Sequence, residues 1–354
     1  MSPFIFLGDY MKKVLIGMSG GVDSAVAALL LKNQGYDVCG AILLLRENME
    51  SEIADAKKIA DHLEIDLVTI PFYNEFESVV KDYFANEYLN GRTPNPCVVC
   101  NKEIKFNALL KYADENGFDF IATGHYAKIE EDNGQFYLKK APTNKDQTYF
   151  LYKLNSEILA KTIFPLCDYT KDEIRSIALE NNLPVASKSD SQEVCFIPDN
   201  DYVSFIRNNY TDDIPEGNFV DKEGNILGKN KGIIYYTIGQ RKGLGVTFGK
   251  PMYVIKIDTK TNSVTLGEEG SQMSDSLWVD DVNFINEEIK EEFEAEVKIR
   301  CQAKPARALL TPENDKIRIK FFEKQRSVTP GQSAVFYDGD RVLGGGTFYS
   351  AFCI

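Results

Sequence analysis

The sequence predicts an α/β chain: a doubly wound parallel sheet in the first half, followed by a small central β-rich domain and a C-terminal β-barrel. Three observations predict it. Apolar β-type runs alternate with helical patterns through the first half, which is the signature of parallel strands joined by crossover helices. After residue 210 the texture changes to Gly-rich turns and short strands. A chain of 354 residues also exceeds what one compact core usually holds.

The elements follow in order. Val14-Leu15-Ile16 reads as the first strand, and an Ala/Leu-rich helix starts at Ser24. Val38 to Leu45 is the second strand, 51–63 a helix, and Leu67-Val68-Thr69-Ile70 the third strand. Helical stretches cover 73–90 and 101–116, Phe120-Ile121-Ala122 is a buried strand, and helices resume at 156–162 and 170–182. Between them the Asp132-Asn133-Gly134 turn predicts a hairpin. In the second half, Val254 to Asp258 and the strictly alternating Lys316-Ile317-Arg318-Ile319-Lys320 are strands, as is Ala334-Val335-Phe336-Tyr337 before the Asp338-Gly339-Asp340 turn. The expected domains are 1–210, 211–276 and 277–354, with the acidic stretch Glu287 to Glu296 as a solvated linker or edge.

Forty Lys and Arg against 53 Asp and Glu give a formal charge of −13, so a polyanion can be met only by local basic patches. The longest apolar runs fall short of the roughly 20 residues that span a bilayer. The opening Met1-Ser2-Pro3-Phe4 lacks the basic start of a signal peptide, which predicts a cytoplasmic protein, and Met11 is an alternative start. With only His62 and His125 present, a His-rich zinc site is excluded. Seven scattered cysteines argue for thiol or metal chemistry over a disulfide scaffold.

The sharpest local signal is Gly17-Met18-Ser19-Gly20-Gly21-Val22-Asp23-Ser24, placed between a strand and a helix. Glycines let backbone approach an anion, and N–H groups at the helix start supply positive potential. A Walker loop needs Lys before Ser/Thr; Asp23 stands there instead, suited to holding a magnesium ion against phosphates. The bland alternative is a turn whose glycines serve packing alone. The Ser-Gly-Gly-x-Asp-Ser loop resembles that of the PP-loop ATPase superfamily, which implies ATP cleaved between its α and β phosphates and an adenylated substrate.

Two thiols stand in the Pro-rich run Thr93-Pro94-Asn95-Pro96-Cys97-Val98-Val99-Cys100, just before a helix. The helix start, Lys102 and Lys105 are expected to lower their pKa values. Cys195 sits where the polar run Ser189-Asp190-Ser191-Gln192-Glu193 meets Phe196-Ile197, whereas Cys39, Cys167 and Cys353 read as inert buried residues.

With these stretches, and with Thr123 to Ala127, Lys145 to Leu151, Tyr236 to Leu244 and Pro330-Gly331-Gln332, the chain resembles the bacterial tRNA 2-thiouridylases over nearly its full length. The resemblance implies that ATP activates the C2 oxygen of the wobble uridine in tRNA, and that sulfur then replaces it. Carried to matching positions, Cys195 bears a persulfide and Cys100 is the nucleophile that frees the sulfur, leaving a Cys100–Cys195 disulfide. Gly17 to Ser24, Leu43 and Gly124 map to ATP; His125, Lys145, Asp146, Gln147, Arg300, Cys301 and Gln332 map to tRNA. The sulfur donor, a persulfide carrier protein or inorganic sulfide, stays open.

Two departures stand out. Cys97 replaces the family's usual Asp, so Cys97, Cys100 and Cys195 form a possible three-thiolate set for a 4Fe-4S cluster, beside the direct persulfide route. Asn230 stands where the family usually has His. Lys139-Lys140, Lys145, Arg241-Lys242, Lys298, Lys304 and Arg307 supply candidate phosphate contacts, and Tyr126, Tyr149 and Phe150 are candidate stacking groups for an extruded base. The rival readings are a PP-loop ligase for a small acid, which needs no reactive cysteine, and a tRNA-binding or sulfur-carrier protein with a relic nucleotide loop.

Overall fold

A computed structural model describes residues 11–189, 194–197, 199–246 and 249–351. The strands β1 (Lys13–Gly17), β2 (Asp37–Leu44), β3 (Asp66–Pro71) and β4 (Phe120–Ala122) are followed by a hairpin of β5 (Lys128–Asp132) and β6 (Gln135–Lys139), then by β7 (Thr162–Ile163). Five of these form a wholly parallel sheet in the order β3-β2-β1-β4-β7. Helix α1 (Val22–Asn33) packs Ala25, Val26, Ala28 and Leu29 against Val14, Ile16 and Ile42 of the sheet, and α2 (Glu50–Leu63) adds Ala56, Ile59 and Leu63 to the same core. The chain leaves β1 toward β2 on one side and reaches β4 on the other, so a crevice opens at the carboxyl ends of β1 and β4, where open α/β sheets bind ligands.

The helix expected at 73–90 is present but carries a π-helical turn at Glu77–Lys81. A second π-helical segment, Cys100–Phe106, lies inside the run from Pro96 to Asn116. Such wide turns are frequent at functional sites. The helix at Lys171–Glu180 starts with a capping box between Thr170 and Glu173.

In the second half β8 (Gly217–Val220), β9 (Ile226–Asn230), β10 (Tyr253–Asp258) and β11 (Ser263–Gly267) form a small sheet over Phe219, Tyr236, Val254 and Leu266. Asn230 is buried there, and its Oδ1 accepts from the Gly232 N–H at 2.8 Å, which fixes a turn. The strands β12 (Met273–Phe284), β13 (Phe293–Lys298), β14 (Ala306–Glu313), β15 (Lys316–Arg326), β16 (Ser333–Asp338) and β17 (Arg341–Ala351) close into a six-stranded barrel through the β12–β17 pairing. The acidic stretch 287–296 is therefore only partly linker, because β13 begins inside it.

The β5–β6 hairpin turns at Asn133 and Gly134, both at positive φ, and β6 pairs Lys139 with Arg341 of β17. It thus extends the barrel's sheet, tying the first half of the chain to the last. No described helix is long and apolar enough to cross a membrane.

Candidate active site

The Gly-rich loop leaves β1 at Gly17 and enters α1 after Gly21. Ser24 Oγ bonds to the Gly21 carbonyl at 3.1 Å and accepts from the Ser19 N–H at 3.3 Å, which closes the loop on itself. Gly20 has φ 69°, and a Cβ there would meet the Glu52 carbonyl at 2.8 Å. Across the crevice a Cβ on Gly124 would stand 3.0 Å from the Ser24 nitrogen, so the segment after β4 packs directly on the start of α1.

Asp23 is held from two sides. Tyr126 Oη donates to its Oδ1 at 2.8 Å and Lys171 Nζ at 2.7 Å. Lys188 Nζ bonds to the Gly20 carbonyl at 3.0 Å and to Asp55 at 2.8 Å. Sequence reasoning missed both lysines, because they come from separate segments 148 and 168 residues away from their loop partners and only the fold unites them.

Beside the loop is a cavity of about 410 Å³. Its lining includes Gly17, Met18, Ser19, Asp23, Ser24, Leu43 and Gly124, and it reaches Arg46, Lys105, His125, Gln147 and Cys195. The Gly-rich loop and one thiol therefore open into one chamber. Cys195 is exposed on a turn closed by the Ile197 N–H to the Val194 carbonyl at 2.8 Å. Phe196 anchors that turn with ring centroids 5.7 Å from Phe76 and 5.4 Å from Phe84. Residues 190–193, part of the Ser189 to Ile197 signature, lie outside the described residues, as does Cys353.

Cys100 is buried in the same aromatic core as Phe196, with Ile104 one helical turn on, while Cys97 is exposed. The expectation of acidic thiols fails for this pair. Burial pushes the Cys100 thiol up to about 12, opposed by the charge of Lys105 and reinforced by Cys195 and Cys97. Burial among protein atoms likewise raises Cys97, against the same lysine. Lys102 instead pairs with Glu103 at 3.4 Å. Among the described residues no three Cys, His, Asp or Glu side chains converge as a metal site. Cys39 and Cys167 are half-buried rather than buried, with thiols raised to about 11 by burial first and by neighbouring carboxylates.

The residues mapped to tRNA divide into two groups. His125 and Gln147 line the nucleotide cavity. The His125 Nδ1 lies 2.8 Å from Thr123 Oγ1, the ring stacks on Phe106, and burial followed by the Lys105 charge pushes its pKa down to about 3. Asp146 is turned inward, accepting from the Ala141 N–H and from Thr148 Oγ1. Tyr126 and Tyr149 are also interior: both are at most 3% exposed, and Tyr149 Oη donates to the Ser333 carbonyl, so neither is an open stacking platform. Phe150 is half-buried, edge-on to Tyr149.

The other group surrounds a groove of about 430 Å³ formed by Thr93, Thr237, Ile238, Gly239, Gln240, Arg300, Thr329 and Gln332. Gln332 Nε2 donates to the Thr93 carbonyl at 2.9 Å and to that of Pro94 at 3.3 Å, and the Thr93 N–H donates to the Pro330 carbonyl at 2.8 Å. The Pro-Gly-Gln turn of the barrel thus grips the loop that leads to Cys97. Arg300 bonds to the Ser327 carbonyl and Thr329 Oγ1, and Cys301 is half-buried against the Tyr149 core. Lys145, Arg241, Lys242 and Lys304 are exposed and carry no ion pair among the described residues, whereas Lys139, Lys140 and Arg307 pair with Glu130, Glu296 and Glu294.

Comparison with known proteins decides the family. Residues 12–199 match the tRNA methyl transferase HUP domain, 204–268 the tRNA methyl transferase PRC-barrel domain, and 274–348 the aminomethyltransferase beta-barrel domain. The tRNA-specific 2-thiouridylase MnmA 2 of Clostridium botulinum strain Langeland is 53% identical over 342 residues, covering 94% of this chain and 97% of its own length. The chain belongs to the tRNA-specific 2-thiouridylase family. Another member, MnmA 2 of Clostridium tetani strain Massachusetts, is 49% identical over 350 residues, covering 95% of this chain and 98% of its own.

Proposed function

We propose that this chain converts the wobble uridine of tRNA to 2-thiouridine in the cytoplasm, forming AMP and pyrophosphate. The observation that carries the reading is the shared chamber: loop residues Gly17, Met18, Ser19, Asp23 and Ser24, with Leu43 and Gly124, line the same cavity as Cys195, in a chain half-identical to named 2-thiouridylases. The uracil C2 oxygen is a poor leaving group, so its attack on the α phosphate of ATP, expelling pyrophosphate, makes it part of a good one. Loop N–H groups and the α1 start hold the phosphates, with Lys171 and Lys188 as nearby positive charges. Asp23 together with the phosphates of ATP is an ordinary magnesium donor set, and the ion would neutralise charge on the leaving pyrophosphate.

For sulfur delivery, the Cys100 thiolate attacks the Cys195 sulfur of a Cys195 persulfide. The S–S bond breaks, hydrosulfide leaves and attacks C2, AMP departs, and a Cys100–Cys195 disulfide remains. Lys105 opposes, without cancelling, the burial that disfavours this thiolate. His125 and Gln147, inside the cavity, are placed to meet the extruded base, while Lys145, Arg241-Lys242, Arg300 and Gln332 border the route for the anticodon arm. No step is routed through an iron–sulfur cluster. A persulfide carrier supplies sulfur at the oxidation level that the Cys195 persulfide requires; inorganic sulfide, already fully reduced, could enter only by attacking the activated C2 directly, without Cys195.

Product stoichiometry tests the reading. With tRNA, Mg-ATP and a sulfur source, one AMP and one pyrophosphate should form per 2-thiouridine detected by mass spectrometry of digested tRNA. ADP and phosphate as products, or no 2-thiouridine, would overturn it.

A further inference from the structure

The Cys-x-x-Cys pair is only half used by this reaction, since Cys100 acts and Cys97 does not. Cys97 lies in a helical turn, Pro96–Val99, whose next residue continues it: the Cys100 N–H donates to the Cys97 and Pro96 carbonyls. Residues three apart on such a turn present neighbouring side chains with Cβ atoms roughly 5–6 Å apart, within reach of a disulfide after small adjustment. Cys97 is exposed, Cys100 is buried behind it, Cys195 is exposed on the cavity side, and all three are free. The loop before Cys97 is fixed to the barrel through the Thr93 and Pro94 carbonyls, so the segment leading to the exposed thiol is anchored.

We propose that Cys97 is the resolving thiol of the catalytic cycle, converting the Cys100–Cys195 disulfide into a Cys97–Cys100 disulfide at the protein surface. This rests on the thiolation reading above. The Cys97 thiolate attacks Cys100 Sγ, a Cys97–Cys100 bond forms, the Cys100–Cys195 bond breaks, and Cys195 leaves as a thiolate that takes a proton. The exchange is redox-neutral. An external dithiol then attacks the exposed Cys97 sulfur, delivers two electrons and restores both thiols. The direction follows from placement: Cys100 is the neighbour of Cys97 on the same helical turn, so attack falls on Cys100 Sγ and releases Cys195. Cys195 is thereby freed inside the nucleotide chamber for reloading, with no need for a reductant to enter it.

The test uses the full chain, loaded with sulfur by inorganic polysulfide, desalted, and given tRNA and Mg-ATP without reductant. Alkylation and non-reducing peptide mapping after one turnover should find Cys97–Cys100 linked and Cys195 alkylated. In Cys97→Ser the link should be Cys100–Cys195. With dithiothreitol present, its ratio of first-turnover to steady-state rate should rise about tenfold above that of the unchanged chain. Cys97→Asp should map like Cys97→Ser, which guards against a folding artefact. A persistent Cys100–Cys195 link in the unchanged chain, or a Cys97–Cys301 link, overturns the relay and leaves the thiolation reading standing. Thiolated tRNA with no disulfide anywhere overturns both.

Discussion

Asp23 shows how one residue's surroundings set its task. Its Oδ1 is fixed by Tyr126 and Lys171 at the start of α1, so the carboxylate is held in one orientation at the end of the Gly-rich loop. Asp23→Ala should slow tRNA-dependent pyrophosphate release about 100-fold while tRNA affinity in filter binding stays within about twofold. The thiols differ by burial. At pH 7.5 iodoacetamide should modify exposed Cys195 well before Cys100, whose thiol sits near 12; mapping the first alkylated peptide checks the order. His125 is depressed to about 3, against roughly 6.5 when unfolded, so the folded protein binds fewer protons than the unfolded chain at mildly acid pH. Its contribution to stability is complete above pH 6.5 and declines as pH falls from there toward 3. His125→Gln should therefore flatten the fall in thermal midpoint between pH 7 and 5, and the imidazole should show no NMR titration from pH 5 to 8.

At the level of elements, the contact between the Pro330-Gly331-Gln332 turn and the Thr93-Pro94 loop couples barrel to thiols. Gly331 has φ 92°, and a Cβ there would meet the Thr93 carbonyl at 2.8 Å. Gly331→Ala should destabilise the chain by about 1–3 kcal/mol and raise hydrogen exchange in the 91–96 segment, measured by mass spectrometry. The strands and most helices of the first half were legible because β1 to β4 centre on short apolar runs, Val14-Leu15-Ile16, Ala41-Ile42-Leu43-Leu44, Leu67-Val68 and Phe120-Ile121-Ala122, and the Asn133-Gly134 turn announced its hairpin. Its attachment to the barrel was not legible, since the β6–β17 pairing is a contact between Lys139 and Arg341 that no local pattern encodes. The π-helical turns were also silent in the sequence. The loop glycines and Cys97, Cys100 and Cys195 could be picked out by type and spacing. The inward orientation of Tyr126, Tyr149 and Asp146 could not, because burial is decided by packing among distant segments.

For the molecule as a whole, a chain of net charge −13 must meet tRNA through a restricted surface. Arg241 and Lys242, exposed next to the groove of Arg300 and Gln332, are its clearest positive edge. Replacing both by Ala should lower the slope of log K against log salt for tRNA by about 1.5 to 2, with ATP binding unchanged; unchanged salt dependence would move the RNA path elsewhere. The account depends most on adenylation and sulfur delivery sharing a chamber yet using separate groups. Cys195→Ser divides them. Assayed with tRNA, Mg-ATP and a persulfide source, the variant should still release pyrophosphate only when tRNA is present, while 2-thiouridine falls to background; 2-thiouridine at the unchanged protein's rate would contradict the account.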